Sequence, residues 1–315
     1  MTIPTLVAPS SSVLTRAYLT NAMFEGYPMW LDLDDLIEGG SEGIQADALA
    51  DALLAASDWA VGVLQEMPLH AHWVQGENFT TRIKGNGRVN VTPAHVPITA
   101  VTSLSWGGDP SWMQAVPLPD ATMWFEGNRR MSWAPGGVAA TFRGPALQFG
   151  PPAQPSRTVY GTMDYIAGFP FALMPDGLEA GAMSVTLDDP TGVLPGGVLR
   201  IYDPGQSEAL TVASTYAPAM PAWPPAVTSV PLAAAAQNTH AAGTGITGFP
   251  RKALQAVIAY SVALLMREDV TDEEPVSAFG PDARTTTGPE KGGQAGGLVN
   301  DAVKWLAPYA PVLRS

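Results

Sequence analysis

Apolar positions recur at two different periods along this 315-residue chain, and the change of period divides it. From about Gln45 to Glu66, Leu49, Leu53, Ala56, Ala60 and Val63 fall four, three, four and three apart, the single stripe of an amphipathic helix. Ala52, Trp59 and Leu64 widen the stripe, and Asp47 and Asp51 lie near its start, where they complement the helix dipole. From residue 79 the period becomes two. FTTRIKGNGRVNVTP reads as a hairpin turning at Gly85-Asn86-Gly87, and VPITAVTSLSWGG as a strand starting after Pro97. ATMWFEGNRRMSWAPGG reads as a second hairpin around Gly127-Asn128. With VAATFRGPALQFG and RTVYGTMDYIAGF, these segments predict one antiparallel sheet of five to seven short strands.

TVYGTMDYIAGFPFALMPDG, at 158–177, then raises a question. A strand runs into Gly-Phe-Pro, yet the next helix opens only at Pro250. Residues 179–248 carry little charge and are rich in Ala, Val, Thr, Pro and Gly. They hold candidate strands at 183–187, 198–202 and 208–213, separated by Asp-Pro-Thr-Gly, Pro-Gly-Gly and Asp-Pro-Gly-Gln turn signals, with one or two more strands after Thr228. Both ends meet the rest of the chain at Pro/Gly stretches, which predicts an inserted small β-barrel or sandwich. FPRKALQAVIAYSVALLMRED then predicts a helix over 250–267. Leu254, Ile258, Ser261 or Val262, and Leu265 share one face, while Val257, Leu264 and Met266 make it apolar nearly all round, as in a helix buried on most sides. Residues 271–297 lack periodicity, and LVNDAVKWLAPYAPVLRS closes with a short amphipathic helix. The expected fold is α+β. A core of 1–178 and 249–315 joins an N-terminal and a C-terminal helix to an antiparallel sheet region, and 179–248 forms the insert.

Composition narrows the chemistry. Charged residues make up only 14 %, a sparse surface that suits coverage by partners and points to an oligomer. The net charge of −13, with no basic cluster beyond Arg129-Arg130, argues against wrapping nucleic acid. The chain has no cysteine, which excludes disulfides, thiolate catalysis and Cys-based zinc sites. Its first twenty residues lack the basic and apolar regions of a signal peptide, so synthesis in the cytoplasm is expected.

Candidate chemistry is thin. Gly39-Gly40-Ser41-Glu42-Gly43 matches the G-x-S-x-G pattern of a hydrolase elbow, but the preceding LDLDDLIE is too acidic for a buried strand, and a turn into the helix accounts for it. His70 and His72 would share one face of a strand, two zinc ligands with no third signalled; His95 and His240 stand alone. Asp32, Asp34, Asp35 and Glu38 lack EF-hand register, and Asp188-Asp189 reads as a turn. No cofactor is expected. At the end of the short terminal helix, Trp305, Leu306, Tyr309 and Leu313 form an apolar patch that either folds back on the core or docks on a partner.

The order of these elements resembles the head-to-tail adaptor (head–tail connector) proteins of long-tailed phages, especially those infecting actinobacteria. AYLTNAMFEGYPMWLDLDDLIEGG followed by ADALADALLAASDWAVGVLQ looks like the family's opening. GRVNVTPAHVPITAVTSLSWGG and the strand-to-Gly-Phe-Pro step of TVYGTMDYIAGFP are similar to its sheet, and TLDDPTGVLPGGVLRIYDPGQSEALTVAS with THAAGTGI to the β-insert of several members. PRKALQAVIAYSVALLM sits where the family places its second core helix. The chain departs from the pattern in a longer middle region, about 107–156, and a Pro-rich stretch at 218–225.

The resemblance implies a virion protein of the neck, assembled in the host cytoplasm, and not an enzyme. It implies a homo-oligomeric ring, usually of twelve subunits, below the portal protein and above a stopper or tail-terminator protein. It implies genomic DNA passing through the lumen without specific binding, and an insert that projects towards the capsid or towards solvent, the major capsid protein being a partner in the first case. The tail at 290–315 would reach the portal through Trp305, Leu306, Tyr309 and Leu313. Two alternatives compete: another virion structural protein (stopper, tail terminator or minor capsid protein), and a serine hydrolase built on Ser41.

Overall fold

A computed structural model describes residues 16–27, 36, 42–65, 67–83, 89–116, 118, 123–126, 130–133, 158–218, 225–266 and 292–310. The chain is mixed α+β with antiparallel sheets, and most of the buried apolar side chains among the described residues fall into three clusters.

The first cluster is helical. Helix α1 (Asn21–Gly26) is capped by Thr20, whose side chain accepts from the Met23 N–H. Helix α2 (Glu42–Val63) buries Leu49, Leu53, Ala56 and Ala60, the predicted stripe. Its last buried position is Leu64 rather than Val63: the Leu64 N–H still bonds the Ala60 carbonyl at 3.1 Å, which keeps Leu64 on the face of Ala60 four residues earlier. Helix α3 (Arg251–Leu265) is buried from Ala253 to Ala263, as its all-round apolar sequence predicts. Helix α4 (Gly292–Leu306), followed by a 3-10 turn at Ala307–Tyr309, packs along α3. Trp59 of α2 stacks on Tyr260 of α3 at 4.0 Å.

The second cluster lies between two sheets. Strands β1 (His72–Arg82), β7 (Thr158–Ala167), β3 (Ile98–Asp109) and β4 (Trp112–Ala115) make one, in that order. Strands β2 (Val89–Val91), β6 (Arg130–Trp133) and β5 (Met123–Glu126) make the other. Along β7, Val159, Gly161, Met163 and Tyr165 are buried and alternate with half-buried neighbours, the period-two reading, until Ile166 and Ala167 are buried as well. The single predicted sheet is therefore two. The turn of the expected hairpin at 85–87 lies outside the described residues; beside it Ile83 bridges Val89, while β1 makes its ladder with β7 and β2 with β6. The hairpin of β5 and β6 pairs as predicted. The strand predicted at 138–150 lies outside the described residues.

The third cluster answers the question raised at Gly-Phe-Pro. Strand β8 (Phe171–Leu173) leaves the long sheet and pairs with β13 (Gly245–Thr247), Phe171 opposite Thr247. The excursion enters and leaves through adjacent antiparallel strands, so its ends are held together and the segment between them adds little strain to the rest. Its first strand precedes residue 179, the expected boundary; three residues of FAL are too short a run to read as a strand from sequence. Between them, β10 (Val198–Ile201) pairs with β11 (Glu208–Thr211) and β13, while β9 (Ser184–Leu187) pairs with β12 (Thr228–Pro231). The two sheets share a core that includes Val185, Leu187, Leu199, Leu210 and Val230, and they touch at the Val212–Leu232 bridge. Their ladders do not close into the barrel that was one of the two expected forms.

Candidate functional site

The terminal helix is the first candidate, and the structure folds it back on the core. Ala302 and Leu306 are completely buried in the helical cluster. Their spacing of four puts both on the α4 face that meets α3. Trp305 and Tyr309 are half-buried at the margin of the same cluster, with Tyr309 edge-on to Phe169 at 5.6 Å. Leu306 is thus an anchor to its own chain, while Trp305 and Tyr309 keep one side in solvent. Leu313 lies outside the described residues.

The histidines are brought together more than their sequence positions suggest. His70 and His72 flank the start of β1, and His95 arrives from the β2–β3 connection. The His72 ring places Nδ1 3.0 Å from the His70 carbonyl and Nε2 2.8 Å from His95 Nδ1. Burial lowers the pKa of His72 to about 3, helped by the neighbouring imidazoles and opposed by its bond to the His70 carbonyl. Burial also lowers that of His70 to about 4, with the Arg16 charge adding to the effect. His95 is lowered by burial, against a raising influence of Glu77. Glu77 in turn accepts from the Ala94 N–H at 2.8 Å and from the Tyr165 hydroxyl, which itself accepts from the His95 N–H at 3.0 Å. The third histidine that the sequence did not signal is therefore present, but the rings bond one another instead of converging on a point. Among the described residues no group of three His, Asp or Glu side chains could hold a metal ion.

His240 stands apart in the third cluster, its ring wholly buried between Asp203 (Nδ1 to Oδ2, 2.8 Å) and Glu208 (Nε2 to Oε1, 3.0 Å). Glu208 also accepts from the Gln237 and Asn238 N–H groups. Each ring nitrogen thus faces one carboxyl group, and the ring bridges the two. This clasp ties the β10–β11 turn to the loop before β13. Neither carboxylate could have been matched to His240 from sequence, since the three meet only when the strands pair.

Asp188 and Asp189 are turn residues, as read, and more. Asp188 accepts the Leu173 N–H at 2.7 Å and pairs with Arg16 at 3.1 Å, while Arg16 lies over the Phe171 ring at 4.8 Å. Asp189 caps the Thr191 N–H at 2.9 Å, and burial raises its pKa. Ser41 and the acidic residues Asp32, Asp34, Asp35 and Glu38 lie outside the described residues. Trp112, on the edge strand β4, is the most exposed large apolar side chain described, at 78 %. No sequence signal separated it from the other strand tryptophans.

Comparison with known proteins returned no matching family model, no matching curated protein and no matching solved structure.

Proposed function

We propose that this chain is a structural protein of a phage neck, a head-to-tail adaptor that forms a ring below the portal and carries the DNA channel towards the stopper or tail. In this reading it is not an enzyme, the helical cluster and long sheet are the adaptor body, and the segment entered at β8 and left at β13 is an inserted domain. The observation that carries the reading is the interruption itself. Strand β7 runs through Gly168-Phe169-Pro170 into a β segment with a buried cluster of its own, and the chain returns at Phe249-Pro250 directly into the buried helix α3. That order matches the resemblance seen in the sequence. The low share of charged residues, 14 %, fits a surface largely covered by ring neighbours.

The packing of α4 changes what the portal can touch. With Leu306 spent on the chain's own core, docking falls to the open sides of Trp305 and Tyr309, together with Leu313. Deleting the whole tail would uncover α3, so point variants are the sound test. Purified chain mixed with the portal protein encoded beside it is measured by native mass spectrometry. The expected result is a stoichiometric ring-on-ring complex that Trp305→Ala with Tyr309→Ala abolishes without loss of helical content. A chain that stays monomeric and binds no portal overturns the adaptor reading.

A further inference from the structure

The α2–β1, β2–β3 and β7–β8 connections cross beside the long sheet in a joint held by a few backbone bonds and three imidazoles. Ala71 donates to Phe169 at 2.7 Å, Phe169 to Leu69 at 2.8 Å, and Gly168 to Pro97 at 2.9 Å. Gly168 is at φ +90°, and a Cβ there would strike the His70 carbonyl, so the two segments cross at backbone contact. His70 and His72 reach this crossing from the α2–β1 connection and the start of β1, and His95 reaches it from the β2–β3 connection.

The hydrogens on these rings follow from their partners. The His70 carbonyl only accepts, so His72 Nδ1 carries the hydrogen and Nε2 of the neutral ring carries the lone pair. His95 Nδ1, 2.8 Å away, must then donate to it. One added proton is tolerated: it goes to Nε2 of His95, whose Nδ1–H still donates to His72, and Glu77 favours the charge. A second added proton leaves two donors facing each other at that distance. His70 has no better outlet, since its ring lies against Tyr18 with centroids 6.0 Å apart and is repelled by Arg16.

The charged groups around the joint are few. Arg16 comes from the N-terminal segment and is partly neutralised by Asp188. Glu77 on β1 is bonded to the Tyr165 hydroxyl, and Tyr18 bonds the Leu69 N–H at 3.0 Å. Asp164, next to Tyr165 on β7, accepts from Gly76 and Ser103 on the opposite face.

We propose that His70, His72 and His95 form an acid-sensitive latch, which ties the end of the α2–β1 connection and the start of β1 to the β2–β3 connection while the rings are neutral and opens that crossing when the His72–His95 pair is doubly protonated or His70 is charged. Groups whose folded pKa lies below the unfolded value bind more protons once released, so the latch is at full strength above the ordinary histidine value of about 6.5 and weakens as pH falls towards 4 and 3. The device stands independently of the ring reading.

Hydrogen exchange followed by mass spectrometry, corrected for the intrinsic pH dependence of exchange, tests it between pH 7 and 3.5. Peptides covering 67–75, 94–100 and 165–171 are expected to exchange roughly tenfold faster than their pH 7 protection allows before the peptide covering α3 changes at all, a tenfold change being about 1.4 kcal/mol. His72→Gln keeps an N–H for the His70 carbonyl and an oxygen for His95 but cannot titrate, so it should move the opening to lower pH. Loss of protection at the joint and in α3 together, or the same opening pH in both proteins, overturns the latch. Should the variant not fold, nitrogen-15 spectra of the wild-type imidazoles decide. His72 should stay neutral with its hydrogen on Nδ1 below pH 5, and titration near 6.5 overturns the proposal.

Discussion

The helical cluster and the β segment of 171–247 reach stability by opposite means. In the first, α3 is surrounded by Leu, Ala, Val and Ile side chains, and its buried hydroxyl, Ser261, merely bonds back to Val257 at 2.9 Å within the same helix. Burial of apolar surface does nearly all of the work there. In the second, strands of three or four residues bury few side chains each, and their loops are fastened by polar contacts, above all His240 between Asp203 and Glu208. A long amphipathic element can be stabilised by one face. Short strands joined by tight turns need specific ties, because each strand alone brings too little surface.

Substitutions can break or sharpen this contrast. The largest effect is expected from Leu254→Ala, which opens a cavity where α3 is completely buried. A loss of about 2–5 kcal/mol follows from comparable core truncations. Urea unfolding monitored by helical circular dichroism should show a lower midpoint at unchanged slope; a loss below 1 kcal/mol would mean that α3 is not the centre of the cluster.

His240→Ala should come next. It leaves Asp203 and Glu208 facing one another without the ring that bridges them, for a loss of about 3 kcal/mol, the range seen when one partner of a buried pair is removed. Exchange protection should fall across 198–211 and 236–247 while α3 keeps its own. Equal loss in both regions would erase the distinction drawn here.

The smallest effect is expected at Thr20→Ala. This removes the bond from the Met23 N–H at 3.2 Å and frays α1, for about 1 kcal/mol by thermal unfolding. Gly26 makes the position of α1 matter, since a Cβ there would lie 2.7 Å from the Asp203 N atom of the β10–β11 turn. Fraying should therefore register in that turn as well.

Much of this was legible along the chain. The stripe of α2 and the all-round apolar α3 appear at their predicted places because helical periodicity is a local property, written in neighbours three and four apart. The strands at 184–187, 198–201 and 208–211 were marked by the turns that bound them. Strand partnership was not legible. Nothing within FTTRIKGNGRVNVTP says that its first half will prefer the distant β7 to its own second half, since ladders between remote strands depend on which faces the whole fold buries. The histidine joint was half legible: His70 and His72 could be placed on a strand, but His95 meets them only where the β2–β3 connection returns.

By itself, then, the sequence determined the α+β class, the two buried helices, the turn-bounded strands and the sparse charge of the surface. These are properties of periodicity and composition, which need no partner. Tertiary structure alone decided that the middle strands form two sheets, that the β segment is entered through Phe171, that Leu306 is buried in its own helical cluster, and that four histidines sort into a three-ring joint and a carboxylate clasp. Each of these depends on contacts between residues far apart in the chain, and such contacts exist only once burial has chosen which surfaces meet.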